Sequence, residues 1–359
     1  MMTGAIGLAT LLSLGNVGMK WEPQDSHTTV RLRGVSAVDG QVAWASGDKG
    51  TFVRTVDGGL TWKAGTVPGA EALDFRDVDA FSASTAYLLS IGEGDKSRIY
   101  KTVDGGERWA LQFTNATPGA FFDGMAFWDE QHGVAFSDPV AGRLLVISTS
   151  DGGATWTPLP ASAFPPALPG EAGFAASGTS IAVRKPGQAW FGMGGAAARV
   201  LRTKDGGKSW SAATTPLSKG EGGGVFSLVF WSDTDGIAVG GNHQRHDDAT
   251  GNLALTRDGG KTWSVPGGAR PAGYRSCVAL VHGAPGPTLI TVGPSGSELS
   301  VDGAKSWISL GTQGFHAVST SSTGKRAWAV GDEGRIALLQ RSRAPIPSPP
   351  GASPSRPRR

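Results

Sequence analysis

The chain has 359 residues, of which 55 are Gly and 22 Pro; 18% are charged and 8% aromatic, with 12 Trp. So many turn-formers exclude a helical bundle or coiled coil, and so many aromatics exclude a disordered chain; short strands joined by tight turns are predicted instead. The formal net charge of +3 comes from the end of the chain, where residues 341–359 hold five Arg and no acid, so nucleic-acid binding by the remainder is not expected.

Residues 1–18 contain a small apolar run, AIGLATLLSLGNV at 5–17, long enough for the core of a signal peptide but short for a bilayer span. An exported protein is expected, periplasmic or extracellular, with membrane association left open. Residues 19–340 are expected to form one domain. The last stretch, RSRAPIPSPPGASPSRPRR at 341–359, buries too little apolar surface to order itself and reads as a disordered Pro- and Arg-rich tail.

One segment recurs six times: TVDGGLTW at 55–62, TVDGGERW at 102–109, TSDGGATW at 149–156, TKDGGKSW at 203–210, TRDGGKTW at 256–263 and SVDGAKSW at 300–307. Its acids, Asp57, Asp104, Asp151, Asp205, Asp258 and Asp302, stand 47, 47, 54, 53 and 44 residues apart, the period of a four-stranded propeller blade. The Asp is expected to bond backbone N–H groups two residues on, and the Gly pair to supply positive φ for a hairpin turn. Trp62, Trp109, Trp156, Trp210, Trp263 and Trp307 then lie on the returning strand, ready to bury their rings between neighbouring blades.

Each repeat is preceded by an apolar strand, a turn, a strand carrying Trp or Tyr and a second turn, as in GVSAV, VAWASG and TFVRT across 34–55. A Pro-, Ala- and Gly-rich insertion at 157–178 interrupts the fourth unit. The seventh, at 314–340, has three strands and no box, and MKWEPQ at 19–24 is expected to supply its fourth, with Trp21 in the box-Trp place. The predicted fold is an all-β, seven-bladed propeller closed by its N-terminal strand. All twelve Trp find packing roles, so an aromatic sugar platform is not required.

Aligning first strands on the second-strand aromatics puts Arg33, Arg76, Asp123, Thr179, Phe226, Arg275 and His316 in equivalent places, ringing one mouth of the channel. Arg33, Arg76 and Arg275 with His316 make a cationic ring suited to carboxylate or phosphate, against the single acid Asp123; their alternative is to pair with local acids such as Asp77, Asp79 and Asp123. GGNHQRHDD at 240–248 brings His243, His246, Asp247 and Asp248 together, but spacing fixes no third ligand, and a solvated loop is expected rather than a metal site. The lone Cys277, in SCVALV, reads as a buried inert thiol. A sialidase would need a Tyr nucleophile, for which only Tyr274 remains, and paired glycosidase carboxylates cannot be located. No phosphate-binding loop, nucleophile elbow or zinc-protease motif occurs.

The repeats resemble the Asp-box (BNR) of sialidase- and sortilin-type propellers. The W-x-P opening strand, RDVDAF- and GFHAV-type strands, G-D-x-G turns and DGG-x-[ST]-W boxes further resemble the photosystem II stability/assembly factor family, over about 21–340. That resemblance implies an exported, non-catalytic scaffold without cofactor, monomeric, binding a protein partner (a membrane protein or assembly intermediate) through an Arg-rich face to which Arg33, Arg76 and Arg275 could correspond. Asp123 and Phe226 interrupt the basic ring, and the insertion is unlike compact members. The alternative is a glycan-binding or glycoside-hydrolase propeller using the same mouth.

Overall fold

The computed structural model describes residues 18–341, so the predicted signal peptide and the tail lie outside them apart from their boundary residues. Antiparallel meanders follow one another at 32–66, 74–114, 122–158, 181–214, 220–264 and 277–311, and 317–341 forms three strands of a further unit. That last unit is completed by Met19–Gln24, which pairs with Ile336–Arg341, Trp21 opposite Leu339. The predicted closure by the first strand is therefore present.

The first strand of each unit packs against those of the units before and after it, and Ala317–Thr320 packs in turn on Leu32–Ala37. The chain is an all-β propeller, and its first strands ring the centre. Units four and five are also joined edge to edge through Gly194 and Gly224, where a Cβ on Gly224 would stand 2.6 Å from the Gly194 Cα.

First strands leave N–H groups unpaired on their inner edge. Short polar side chains of the neighbouring unit accept them: Ser36 from Ala80 (3.2 Å), Asp77 from Met125 (2.8 Å), Asp79 from Phe127 (3.0 Å), Ser227 from Val278 (2.9 Å) and Ser319 from Ala37 (3.0 Å). Asp77 and Asp79 are thus committed to holding blades together and are not the acids that neutralise the arginines. Burial pushes both carboxyls up, Asp79 to about 6.

The six box turns are built alike. In the first, the Thr55 hydroxyl donates to Asp57 (2.8 Å) and accepts the Gly59 N–H (3.0 Å), while Asp57 accepts the N–H (2.9 Å) and hydroxyl (2.6 Å) of Thr61. Asp104, Asp151, Asp205, Asp258 and Asp302 accept the equivalent N–H, with the Arg108 guanidinium replacing the hydroxyl at Asp104. The carboxylate spans four residues, not the expected two. Gly58 at φ 76 and Gly59 at φ 84 turn the chain back so that the fourth N–H comes to face it. Bonds from the Thr61 hydroxyl and N–H hold Asp57 down at about 2.

The box Trp rings close the seams between units. Trp62 meets Trp328 edge-on at 6.3 Å and Trp109 meets Trp44 at 6.1 Å, both across a blade boundary. Trp156 packs beside Phe127 and Tyr87, and Trp263 beside Phe230 and Trp190. Trp210 joins Phe191 and Phe164, and Trp307 lies against Ile237 and Val239. Rings of this size dominate the burial available to so flat a sheet.

Candidate functional site

Antiparallel meandering puts the boxes at one end of the propeller and the starts of the first strands at the other. At that second end the first strands bulge. Leu32 pairs with Gly47 and Gly34 with Ser46, leaving Arg33 as the extra residue; Arg76, Asp123 and Phe226 are the extra residues of their units. Ser276 and His316 take this place in the last two units, their N–H groups donating to Val292 and Val330, which also face the next residue in each strand. A bulge re-aims one side chain, and here it turns these residues toward the mouth.

Arg33, Arg76, Ser276 and His316 meet there around a cavity of about 320 Å³, walled on its apolar side by Phe174, Phe226 and Tyr274. The structure thus brings Arg33, Arg76 and His316 together at one cavity. A larger groove of about 540 Å³ lies at the box end, beside Trp128 and the exposed His132–Asp129 pair. We place the candidate site at the mouth because charge is left uncompensated there.

Three predicted members, Arg275, Asp123 and Thr179, are absent from the cavity. Arg275 is 0% exposed and lies one residue out of register: it occupies the core place held by Leu32, Phe75, Phe122, Val225 and Phe315 in other units. Its Nε donates to Glu298 (2.7 Å), its Nη2 forms an ion pair with the same carboxylate, and Nη1 donates to the Tyr274 carbonyl (2.7 Å) and Ser295 (3.2 Å). Asp123 holds the expected bulge position but is 2% exposed, shut beneath Gly173, whose Cβ would stand 2.4 Å from its carboxyl. Burial, and then Asp138 beside it, push Asp123 well above the usual carboxylate range.

What shuts Asp123 is the insertion, whose last residues cross the mouth. Ala172 bridges Gly194, and the Gly173 N–H donates to Asp138 (2.7 Å). Phe174 stacks on Phe226 at 3.8 Å. The Ala175 and Ala176 carbonyls accept from Arg76 (3.1 Å) and Arg33 (3.0 Å), and Ser177 donates to the Ser276 carbonyl (2.9 Å). A buried pair, Arg199 Nε on Glu171 (2.6 Å), fixes its root.

Around the mouth the side chains find polar partners, but Arg33 finds no acid. Arg31 holds Asp48 (3.1 Å), Arg76 holds Asp74 (2.8 Å) and His316 holds Asp332 (2.8 Å). Arg33, 9% exposed, has no acid partner among the described residues: Nη2 bonds Ala176, and Nε is buried with no acceptor. Burial, then Arg76 and Arg31, push its guanidinium down to about 10, so it stays charged at neutral pH. Burial and then Arg33 lower His316 to about 4 against the pull of Asp332, so that imidazole is neutral.

His243 and His246 line the cavity as well, but their loop makes no metal cluster: among the described residues no group of three or more such ligands occurs. Asp248 instead pairs with Arg245 (3.4 Å). Tyr274 is buried and its phenol is pushed up, the wrong direction for a nucleophile. Cys277 is fully buried beside Thr179 (3.3 Å) with its thiol also pushed up, and Thr179 bonds Ser227 (2.6 Å) within the same inner network. Sequence reasoning missed Ser276 and the carbonyls of the insertion. Matching Gly293 with Gly47 as second-strand ends would have recovered the register of Ser276.

No family model and no curated protein matches the chain. Among solved structures it is similar to YCF48 bound to a D1 peptide, with TM-score 0.62 and 16% identity over 92% of this chain and 100% of that one. YCF48 from Cyanidioschyzon merolae matches at TM-score 0.61 and 16% identity, over 89% and 98%. The WD40 propeller domain of Doa1 matches at 0.60 and 12% identity, over 91% and 98%. At these identities the likeness establishes the propeller fold alone.

Proposed function

We propose that this propeller is a non-catalytic binding scaffold, related in use to the assembly factors, whose recognition face is the mouth around Arg33, Arg76 and His316. The observation that carries this reading is the buried Arg33 guanidinium, which faces a cavity without an acid of its own. A buried charge without a partner costs several kcal/mol, so a fold keeps one where an acidic group arrives from outside. The YCF48 structure that holds a D1 peptide supports a protein as the partner. In this reading the protein is exported, as its apolar start suggests, and acts as a monomer on an acidic segment of a membrane protein or assembly intermediate.

The hydrolase alternative needs two carboxyl groups across a cleft. Asp123 lies under the insertion, and Asp332 is tied to His316. The test is to express the tagged full chain in its source organism, crosslink mildly and identify what co-purifies. A stoichiometric protein lost on Arg33→Gln/Arg76→Gln supports the scaffold. A partner retained by that double variant, or captured glycan in place of protein, refutes it.

A further inference from the structure

Resting on the mouth as the recognition face, we propose that its centre is a subsite for a single carboxylate carried on a small apolar or aromatic body, with Arg33 as the anchor. Three observations carry this. The first is charge: Arg31 and Arg76 each have an acid within ion-pair distance, whereas the Arg33 guanidinium has none among the described residues. A phosphate, near two charges, would be repelled by the Asp332 carboxylate that lines the cavity more strongly than a single carboxylate would.

The second is geometry. Arg33 is 9% exposed, and its Nε has no acceptor, while Nη2 is held by the Ala176 carbonyl, which fixes the plane of the fork. With Nε buried and Nη2 already on Ala176, a carboxylate in the cavity meets the guanidinium from its Nη edge in a charge-assisted hydrogen bond. The third is size and wall chemistry. About 320 Å³ is at the low end of ligand sites, enough for one residue or an aryl acid and too small for a hairpin or helix. The Phe174–Phe226 stack offers the apolar side. The carboxylate comes either from the C-terminus of a polypeptide or from a free organic acid.

The test uses purified full-length protein and isothermal titration with 3-phenylpropionate, its amide, a tripeptide ending in Phe as free acid and as amide, and inorganic phosphate. Both acids are expected to bind, and each amide to bind about 10- to 100-fold more weakly, the range for a charge-assisted hydrogen bond. Arg33→Gln should lose the same factor without lowering the unfolding midpoint. The acid–amide comparison on the unaltered protein stands even if that variant misfolds. Tighter binding of the peptide acid assigns the site to a chain terminus, and tighter binding of phenylpropionate to a free acid; either supports the carboxylate. Equal binding of acid and amide, binding unaffected by Arg33→Gln, or preference for phosphate overturns it. Partner capture that depends on Arg33 and Arg76 without any acid binding would leave the scaffold standing and remove this subsite alone.

Discussion

Replacing Arg275 with Met tests the reassignment of that residue from partner recognition to the core. Arg275 is fully buried, and Glu298, 7% exposed, receives its Nε and Nη2. Met fills much of the volume but leaves Glu298 with only the Ala272 N–H (3.1 Å) and the Thr291 hydroxyl (3.1 Å) as donors. Breaking a buried ion pair by removing one partner costs about 3–5 kcal/mol, a large share of the roughly 5–15 kcal/mol that holds a domain together. Adding Glu298→Leu removes the stranded charge, and apolar replacement of a whole buried pair is near neutral, so the double variant should regain most of the loss. Chemical denaturation of the two single variants and the double variant measures the cycle. A cost below about 1 kcal/mol for Arg275→Met, or a double variant less stable than that single one, would show that the guanidinium is not held as described. Partner capture by the double variant should match wild type.

Asp123→Asn is expected to alter the pH dependence of stability. Burial holds the Asp123 carboxyl protonated well above the usual carboxylate range, so above about pH 4 the unfolded chain releases a proton that the fold keeps, and stability falls as pH rises. Asn removes this term: the variant should equal wild type near pH 4 and exceed it at pH 7, and superimposable thermal midpoints across that range would refute the assignment. Ala304 stands where the other boxes have Gly, at φ 69, a conformation costing an L-residue about 1–2 kcal/mol. Ala304→Gly should therefore gain about 0.5–1 kcal/mol after the entropy of Gly is allowed for, read by denaturant midpoint; a loss would show that its buried methyl outweighs the backbone strain.

The fold was legible because its rules are local. A box needs only its own eight residues, from the Thr55 hydroxyl to the Trp62 ring, so each copy announces itself without knowledge of the rest. Closure was legible because Trp21 sits in a strand of the same grammar. Arg33, Arg76 and Asp123 share one place in their strands, as the alignment implies, because short, regular turns link first and second strands in those units. The sixth unit has no aromatic in its second strand, Leu289–Gly293, so the count there has no anchor and slips by one residue. One residue suffices to move a side chain to the other face of a strand. The slip exchanged a mouth residue, Ser276, for a core one.

The insertion was illegible for a different reason. It acts on the mouth largely through main-chain carbonyls, Ala175 on Arg76 and Ala176 on Arg33, and a carbonyl is present at every residue whatever the side chain. Side-chain patterns report packing, so they find what repeats. The site is made where the repeat is broken: by Arg33, the mouth arginine without its own acid among the described residues, and by a segment that no other unit possesses. In a propeller of near-equivalent blades, specificity therefore resides in the departures. Replacing Arg33 with a neutral side chain should favour the fold at the expense of recognition, since the uncompensated guanidinium is a burden to the empty protein and an asset to the occupied one.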